Sequence, residues 1–223
     1  MRRKRPDATR PPTAVPPGTS RRARKAAETR EALLRAGLNL FAERGLSGVT
    51  VEDITEAADV GKGTFFNYFR SKEHVLAALG DLQLGKIESV LAQARSGTGS
   101  FREALERLPA AVTEEPGRGP LLVRSMLAAL LSTEPVRRAL FVKMRQGRRL
   151  LAELLGIGQA RGEIRKDRDP AELARILQQA FFGTMVVWSV DGSGSLRHRM
   201  EEVMSYFGSA LVSPRSGGKE DRT

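Results

Sequence analysis

From about Arg24 to Leu211 the apolar residues recur at intervals of three and four, and no run of any length alternates apolar with polar. A half-buried strand needs a period of two and an amphipathic helix a period near 3.6, so this pattern admits helices only. The expected fold is all-α, with about nine helices. A chain of 223 residues, 40% of them hydrophobic, is long enough for one domain or two small ones around a substantial core. There are no cysteines and only two histidines, His74 and His198. Disulfides, thiolate metal sites and thiol nucleophiles are excluded, and most histidine-based catalysis is disfavoured.

Charge divides the chain unevenly. Residues 1–30 carry ten basic side chains against two acids, +8 of the net +11. Five of the eleven prolines also fall within the first 17 residues. Residues 1–26 therefore read as a disordered basic, proline-rich arm, which points to a polyanionic partner. No apolar run reaches the roughly 20 residues of a membrane span, and no apolar segment follows the basic start as in a secretory signal. The expectation is a cytoplasmic protein without a membrane partner. Residues 213–223 are polar and glycine-rich, and read as a disordered tail.

Turn and cap signals cut the helical pattern into segments. Gly45 is placed to stop the first helix, and Thr50 with Asp53 three residues on reads as a capping box. A turn at Asp59–Gly61 leads to a short helix over Lys62–Phe69, and Ser71 starts the next. Further breaks are expected at 96–100, 114–120, 132–135, 156–162 and 191–195. Asp169-Pro170 is a strong helix start.

A long helix followed by two short ones, joined by a tight turn at about 50–69, has helix-turn-helix geometry. Ile54, Ala57, Val60, Phe65 and Phe69 are spaced to pack inward on Leu40 and Phe41. With Phe65 and Phe69 marking the buried side, Gly63, Thr64, Asn67 and Tyr68 point outward, with Lys62 at the helix start. Asn pairs bidentately with adenine, Thr bonds a base or touches a thymine methyl, and Lys reaches guanine or phosphate. Gly63 lets the backbone approach, while Tyr68 and Lys72 are placed to hold phosphates.

The stretch from Thr29 to Lys72 resembles the DNA-binding domain of the TetR family of one-component bacterial repressors. The resemblance rests on Thr29-Arg30, Leu40 to Gly45, Thr50-Val51 with Asp53-Ile54, and Ala57-Ala58. It continues through Val60 to Phe65, Tyr68-Phe69 and Ser71 to Glu73. It implies a DNA-binding domain over 27–87 that runs into a connecting helix, an effector-binding and dimerisation domain over 88–212, and no cofactor. It also implies that Thr50, Lys62, Gly63, Thr64, Asn67, Tyr68 and Lys72 contact a double-stranded operator. Phe66 stands where the family often has a tyrosine, and its ring cannot donate that hydroxyl's hydrogen bond.

Beyond that domain, the helix starting at Pro170 is apolar on two sides and the one from Leu196 carries a single stripe. The surplus apolar surface points to a homodimer through a four-helix bundle, with Phe182, Val186, Val190, Met200, Met204 and Phe207 as interface candidates. The resemblance implies a pocket for a small-molecule effector among the middle helices. Leu84, Ile87, Met126, Leu130, Phe141, Met144, Phe181 and Met185 are the candidate lining, a set suited to an apolar ligand.

The expected function is therefore a ligand-responsive repressor that binds a pseudo-palindromic operator as a homodimer. The alternatives are a nonspecific DNA-binding protein and, less favoured, a helical enzyme. The second lacks a convergent nucleophile–base set or a metal cluster, so no catalytic residue and no metal ligand are assigned.

Overall fold

The computed structural model describes residues 21–211. The chain forms α1 (Arg21–Arg44), α2 (Val51–Ala57), α3 (Lys62–Tyr68), α4 (Lys72–Arg95) and α5 (Phe101–Thr113). A 3-10 turn (Pro116–Arg118) leads to α6 (Pro120–Leu130), α7 (Glu134–Ala160), α8 (Pro170–Asp191) and α9 (Leu196–Leu211). No strand occurs among the described residues. Residues 1–20 of the expected arm and the expected tail at 213–223 lie outside the described residues.

The arm was expected to reach residue 26, yet α1 begins at Arg21. The physical reason is local: Arg, Lys and Ala are good helix formers, and Arg24 pairs with Glu28 one turn on at 3.5 Å. The expected break at 156–162 opens later than its first glycines, because α7 runs through Gly156 and Gly158 to Ala160 and the turn follows at Arg161, with Gly162 at φ 73°. Gly158 is a packing notch: a Cβ there would lie 2.7 Å from the Phe101 ring, so α5 sits directly against the α7 backbone. The remaining signals act as expected. Asp169 Oδ1 accepts from the Ala171 N–H at 2.6 Å, and Gly192 ends α8 in the left-handed region at φ 63°.

Two apolar cores result. The first joins Leu33, Leu38, Phe41, Ile54, Phe65 and Phe69 to Val75–Leu79 of α4, and it also takes Leu122 of α6 with Val136 and Leu140 of α7. The second joins Ile87, Leu91, Leu108, Leu154, Leu177 and Trp188 to Met200 and Met204 of α9. The boundary expected between residues 87 and 88 therefore falls on an uninterrupted helix. One half of α4 is buried in each core, so the helix is a rod shared by both. Its crossing with α1 is close, since a Cβ at Gly37 would meet Val75 Cγ1 at 2.9 Å.

Within the first core one expectation needs correcting. Ala57 is exposed, and Thr55 and Ala58 take the inward positions beside Ile54. The seven-residue α2 leaves its last residue on the outer side of the turn. That turn is tight: the Val60 N–H donates to Thr55 O at 3.0 Å, and Asp59 is the one non-glycine with positive φ, 53°, among the described residues. Asp tolerates that conformation better than most side chains.

Candidate nucleic-acid interface and ligand cavity

The helix-turn-helix is built outward from Phe65. Its fully buried ring meets Phe69 at 5.6 Å and Phe66 edge-on at 5.4 Å, while the Arg30 guanidinium lies over Phe69 at 5.5 Å. Burying that side of α3 turns Lys62, Gly63, Phe66 and Asn67 to solvent and leaves Thr64 half-buried. A Cβ at Gly63 would meet nothing within 4 Å, so no packing among the described residues requires a glycine there. At Gly63 the outward face is uncrowded, which leaves the backbone open to close approach.

The other expected contact residues carry local duties. Thr50 Oγ1 accepts from the Asp53 N–H at 3.1 Å, and the Thr50 N–H donates to Asp53 Oδ2 at 2.7 Å, closing the capping box. The Thr50 hydroxyl also donates to that carboxylate at 2.6 Å, and these bonds hold the Asp53 carboxyl below its usual range. Lys62 pairs with Glu52 across the α2–α3 turn, and that contact lowers the Glu52 carboxyl. Lys72 is half-buried and donates to Leu46 O at 2.8 Å and Val49 O at 2.7 Å, pinning the loop between α1 and α2. Tyr68, expected outward, is partly turned onto the first core. Arg70, two residues on, is exposed, and no ion pair among the described residues engages its guanidinium. Sequence reasoning passed over Arg70 because it lies between two helices. The Phe66 ring, 51% exposed, adds an apolar element to the same surface.

The expected pocket residues converge more closely. Leu84, Ile87, Met126, Leu130, Met144, Phe181 and Met185 line one cavity of about 150 Å³ between α4, α6, α7 and α8. Phe141 does not join them and is 51% exposed. The reason is helical phase: α7 turns Leu140, Met144, Gly147 and Leu151 inward at intervals of three and four, and Phe141 sits one residue round from that row. Gln83, Lys143 and Gln178 also line the cavity.

The expected interface residues divide. Met200 and Met204 are buried within the second core of this one chain, and Met200 lines the cavity, so neither forms an outer face. Phe207 is half-buried against that core, and Phe182 and Val186 lie at the cavity. Val190 is 73% exposed and shares the surface with Ile176, Val187 and, on α9, Tyr206 at 78%. The junction of these helices is fixed by Arg199, which pairs with Asp191 at 2.9 Å, and by Trp188 Nε1, which donates to Gly194 O at 3.1 Å. No described helix is long and apolar enough to cross a membrane.

Comparison with known proteins agrees with this geometry. The family model described as bacterial regulatory proteins, tetR family, matches residues 33–79. The HTH-type transcriptional repressor DhaR of Mycobacterium sp. (strain GP1) is 32% identical over 189 residues, covering 82% of this chain and 92% of that protein. The transcriptional regulator AcuR of Cereibacter sphaeroides is 33% identical over 163 residues, 70% of this chain and 74% of its own. Among solved structures, the regulatory protein TetR from Rhodobacter sphaeroides superposes with a TM-score of 0.64 at 28% identity, covering 82% of this chain and 99% of that one. Thermus thermophilus FadR, a TetR-family repressor in complex with lauroyl-CoA, does so with a TM-score of 0.61 at 28% identity, covering 85% and 98%.

Proposed function

Because the chain belongs to the TetR family of bacterial regulatory proteins, and is thereby a transcriptional regulator and not an enzyme, we propose that it is a ligand-responsive repressor. It binds a pseudo-palindromic operator as a homodimer and leaves it when a small apolar effector fills the cavity between α4, α6, α7 and α8. The observation that carries the DNA-reading part is the outward face of α3. Gly63 and Asn67 stand open there, and the buried Phe65 fixes the face's direction. Asn67 reads a base edge, Lys62 and Arg70 take phosphates, and Phe66 packs on a thymine methyl or a sugar.

Homodimerisation supplies the second recognition helix, spaced about 34–36 Å from the first for successive major grooves. The exposed apolar side chains Ile176, Val187, Val190 and Tyr206 support α8 and α9 as the surface that a second copy covers. Release follows from differential affinity. An effector that binds better to a subunit arrangement whose α3 helices miss adjacent grooves shifts the population toward that arrangement. The rod-like α4, anchored in both cores, couples the cavity to α3.

The test is selection of bound sequences from a random DNA library, followed by footprinting of the selected site under excess random DNA. A discrete, two-fold symmetric footprint that survives the competitor is expected. Uniform protection that the competitor erases would mean nonspecific binding instead.

A further inference from the structure

Lys143 of α7 faces two hollows at once. It lines the cavity between α4, α6, α7 and α8, and it lines a surface cleft of about 410 Å³ between α1, α7 and the start of α4. No other described residue lines both. The side chain divides itself between them. Its stem lies on the α4 backbone at Gly80, in the cavity wall, where a Cβ would stand 3.1 Å from Lys143 Cγ. Its ammonium pairs with Asp81, the next residue of α4, which lines the cleft and not the cavity. An apolar stem with a charged head suits such a wall.

On the cleft side the contact is handed on. Lys143 holds Asp81 Oδ1, and Asp81 Oδ2 stands 4.0 Å from the Arg30 guanidinium of α1. That guanidinium lies 5.5 Å from the centre of the Phe69 ring. Phe69 closes α3: its N–H donates to Phe65 O at 2.9 Å, and its ring meets the Phe65 ring at 5.6 Å. Phe65 in turn fixes the direction of the outward face. Among the described residues Lys143 and Arg30 are the two cations paired with Asp81, and at 4.0 Å Arg30 is the looser. A carboxylate that loses its closer partner attracts the remaining one without competition.

We propose that Lys143, Asp81 and Arg30 are positioning residues that carry the state of the cavity to α3. The proposal rests on the cavity being the effector site and α3 the DNA-reading helix. A molecule in the cavity presses on the Lys143 stem. The stem has no room towards the α4 backbone at Gly80, so it yields towards the cleft and its ammonium leaves Asp81. Asp81 then draws in Arg30, and the guanidinium comes off the Phe69 ring. The end of α3 loses a cation–π contact, which sets the expected effect on operator affinity at about two- to fivefold. This relay adds to the rod-like α4, because it moves side chains and not helices.

A side chain added inside the cavity stands in for an effector, so the test needs none. In Gly147→Leu the new side chain leans towards the preceding turn of α7, that of Lys143. Lys143→Met imitates the same step with the cavity empty, since it keeps a stem over Gly80 and has no ammonium. The first readout is the Arg30 Nε–Hε resonance of the full chain by NMR, assigned by its absence in Arg30→Lys. The Phe69 ring holds it upfield in the wild type, and in both variants it is expected downfield, near that of a free arginine. Asp81→Asn, combined with either, should keep it upfield, and Asp81→Glu should restore the response.

The second readout is affinity for the operator selected from the random library. It is expected to fall by that same factor in both variants and not in their combinations with Asp81→Asn. A merely structural Asp81 would weaken operator binding by itself and leave the loss from Gly147→Leu in place. An Arg30 resonance that stays upfield in either folded variant, or that moves just as far without the Asp81 carboxylate, overturns the relay. So does a moved resonance with operator affinity unchanged. If no discrete operator is selected, the DNA-reading role of α3 fails instead, and the Arg30 resonance alone decides whether the cavity wall and Phe69 are linked.

Discussion

Gly63 on α3 and Gly158 on α7 are the same residue for opposite reasons. At Gly158 the chain itself answers the question of why a side chain is missing, since the Phe101 ring occupies the place where a Cβ would stand. At Gly63 nothing among the described residues answers it, because a Cβ would meet open space. Internal packing requires the glycine at Gly158, whereas Gly63 shares its open surroundings with Gly85 and Gly183 and is set apart only by its place on the outward face of α3. The same contrast separates the two regions at large. Around α2 and α3 the polar side chains Thr50 and Lys62 are tied to near neighbours in sequence, Asp53 and Glu52, and only Lys72 reaches back further, to Leu46 O and Val49 O. The α4–α9 body, beside its local pairs, adds ties across the chain, as Lys86 to Glu115 and Arg124 to Ser189 O at 2.7 Å.

Substitutions can break this comparison, beginning with the strongest. Gly158→Val should cost about 2–3 kcal/mol of stability through overpacking against Phe101, measured by denaturant unfolding, with operator choice unchanged in the folded fraction. Little loss would mean that α5 yields easily and the notch is not required. Asn67→Ala should weaken binding to the selected operator by about 1–3 kcal/mol and leave binding to random DNA nearly as it was. Equal losses on both would remove Asn67 from base reading.

Thr50→Ala should cost about 1 kcal/mol, the usual worth of an N-cap, read as a lower melting temperature. Its pH dependence carries a sign. Asp53 is held below its usual range in the folded chain, so its contribution is full above the unfolded value near ~3.9 and is lost as pH falls through the folded value. Without the Thr50 hydroxyl that acid-side decline should be shallower. Gly63→Ala should raise stability by about 0.5 kcal/mol, as alanine does for glycine in a helix, while weakening operator binding. A gain in both would show that DNA does not approach this backbone. The smallest effect is expected of Glu52→Gln, which frees the Lys62 ammonium and should tighten operator binding by about two- to fivefold at low salt.

The regional contrast also explains what the sequence made legible. The capping box, the Phe65–Phe69 pair and the outward direction of Asn67 each follow from spacings of a turn or less, which periodicity reads directly. Periodicity likewise places Met200 and Met204 on one face of α9, but it does not say whether that face meets its own chain or another. Here it meets the chain's own core. The burial of Glu115 has no local signal because its partner Lys86 lies 29 residues before it. Lys72 looked free for phosphate because the carbonyls it holds, at Leu46 and Val49, are backbone atoms with no signature in composition. Phe141 was placed in the cavity by a phase error of one residue on α7, which a helix's nearly continuous apolar face permits.

Trp188 is the sole tryptophan of the chain, almost wholly buried, and its indole N–H is tied to the carbonyl of Gly194 at the α8–α9 junction. That gives the protein a single indole, which can be excited apart from the two tyrosines, and its emission wavelength reports on one place only. With no second indole to dilute the signal, any loosening of the junction reaches the detector as a red shift, without a label or an added probe. Titrations with DNA and with small molecules can therefore be followed on the same optical axis, so the two kinds of encounter can be compared in the unmodified protein.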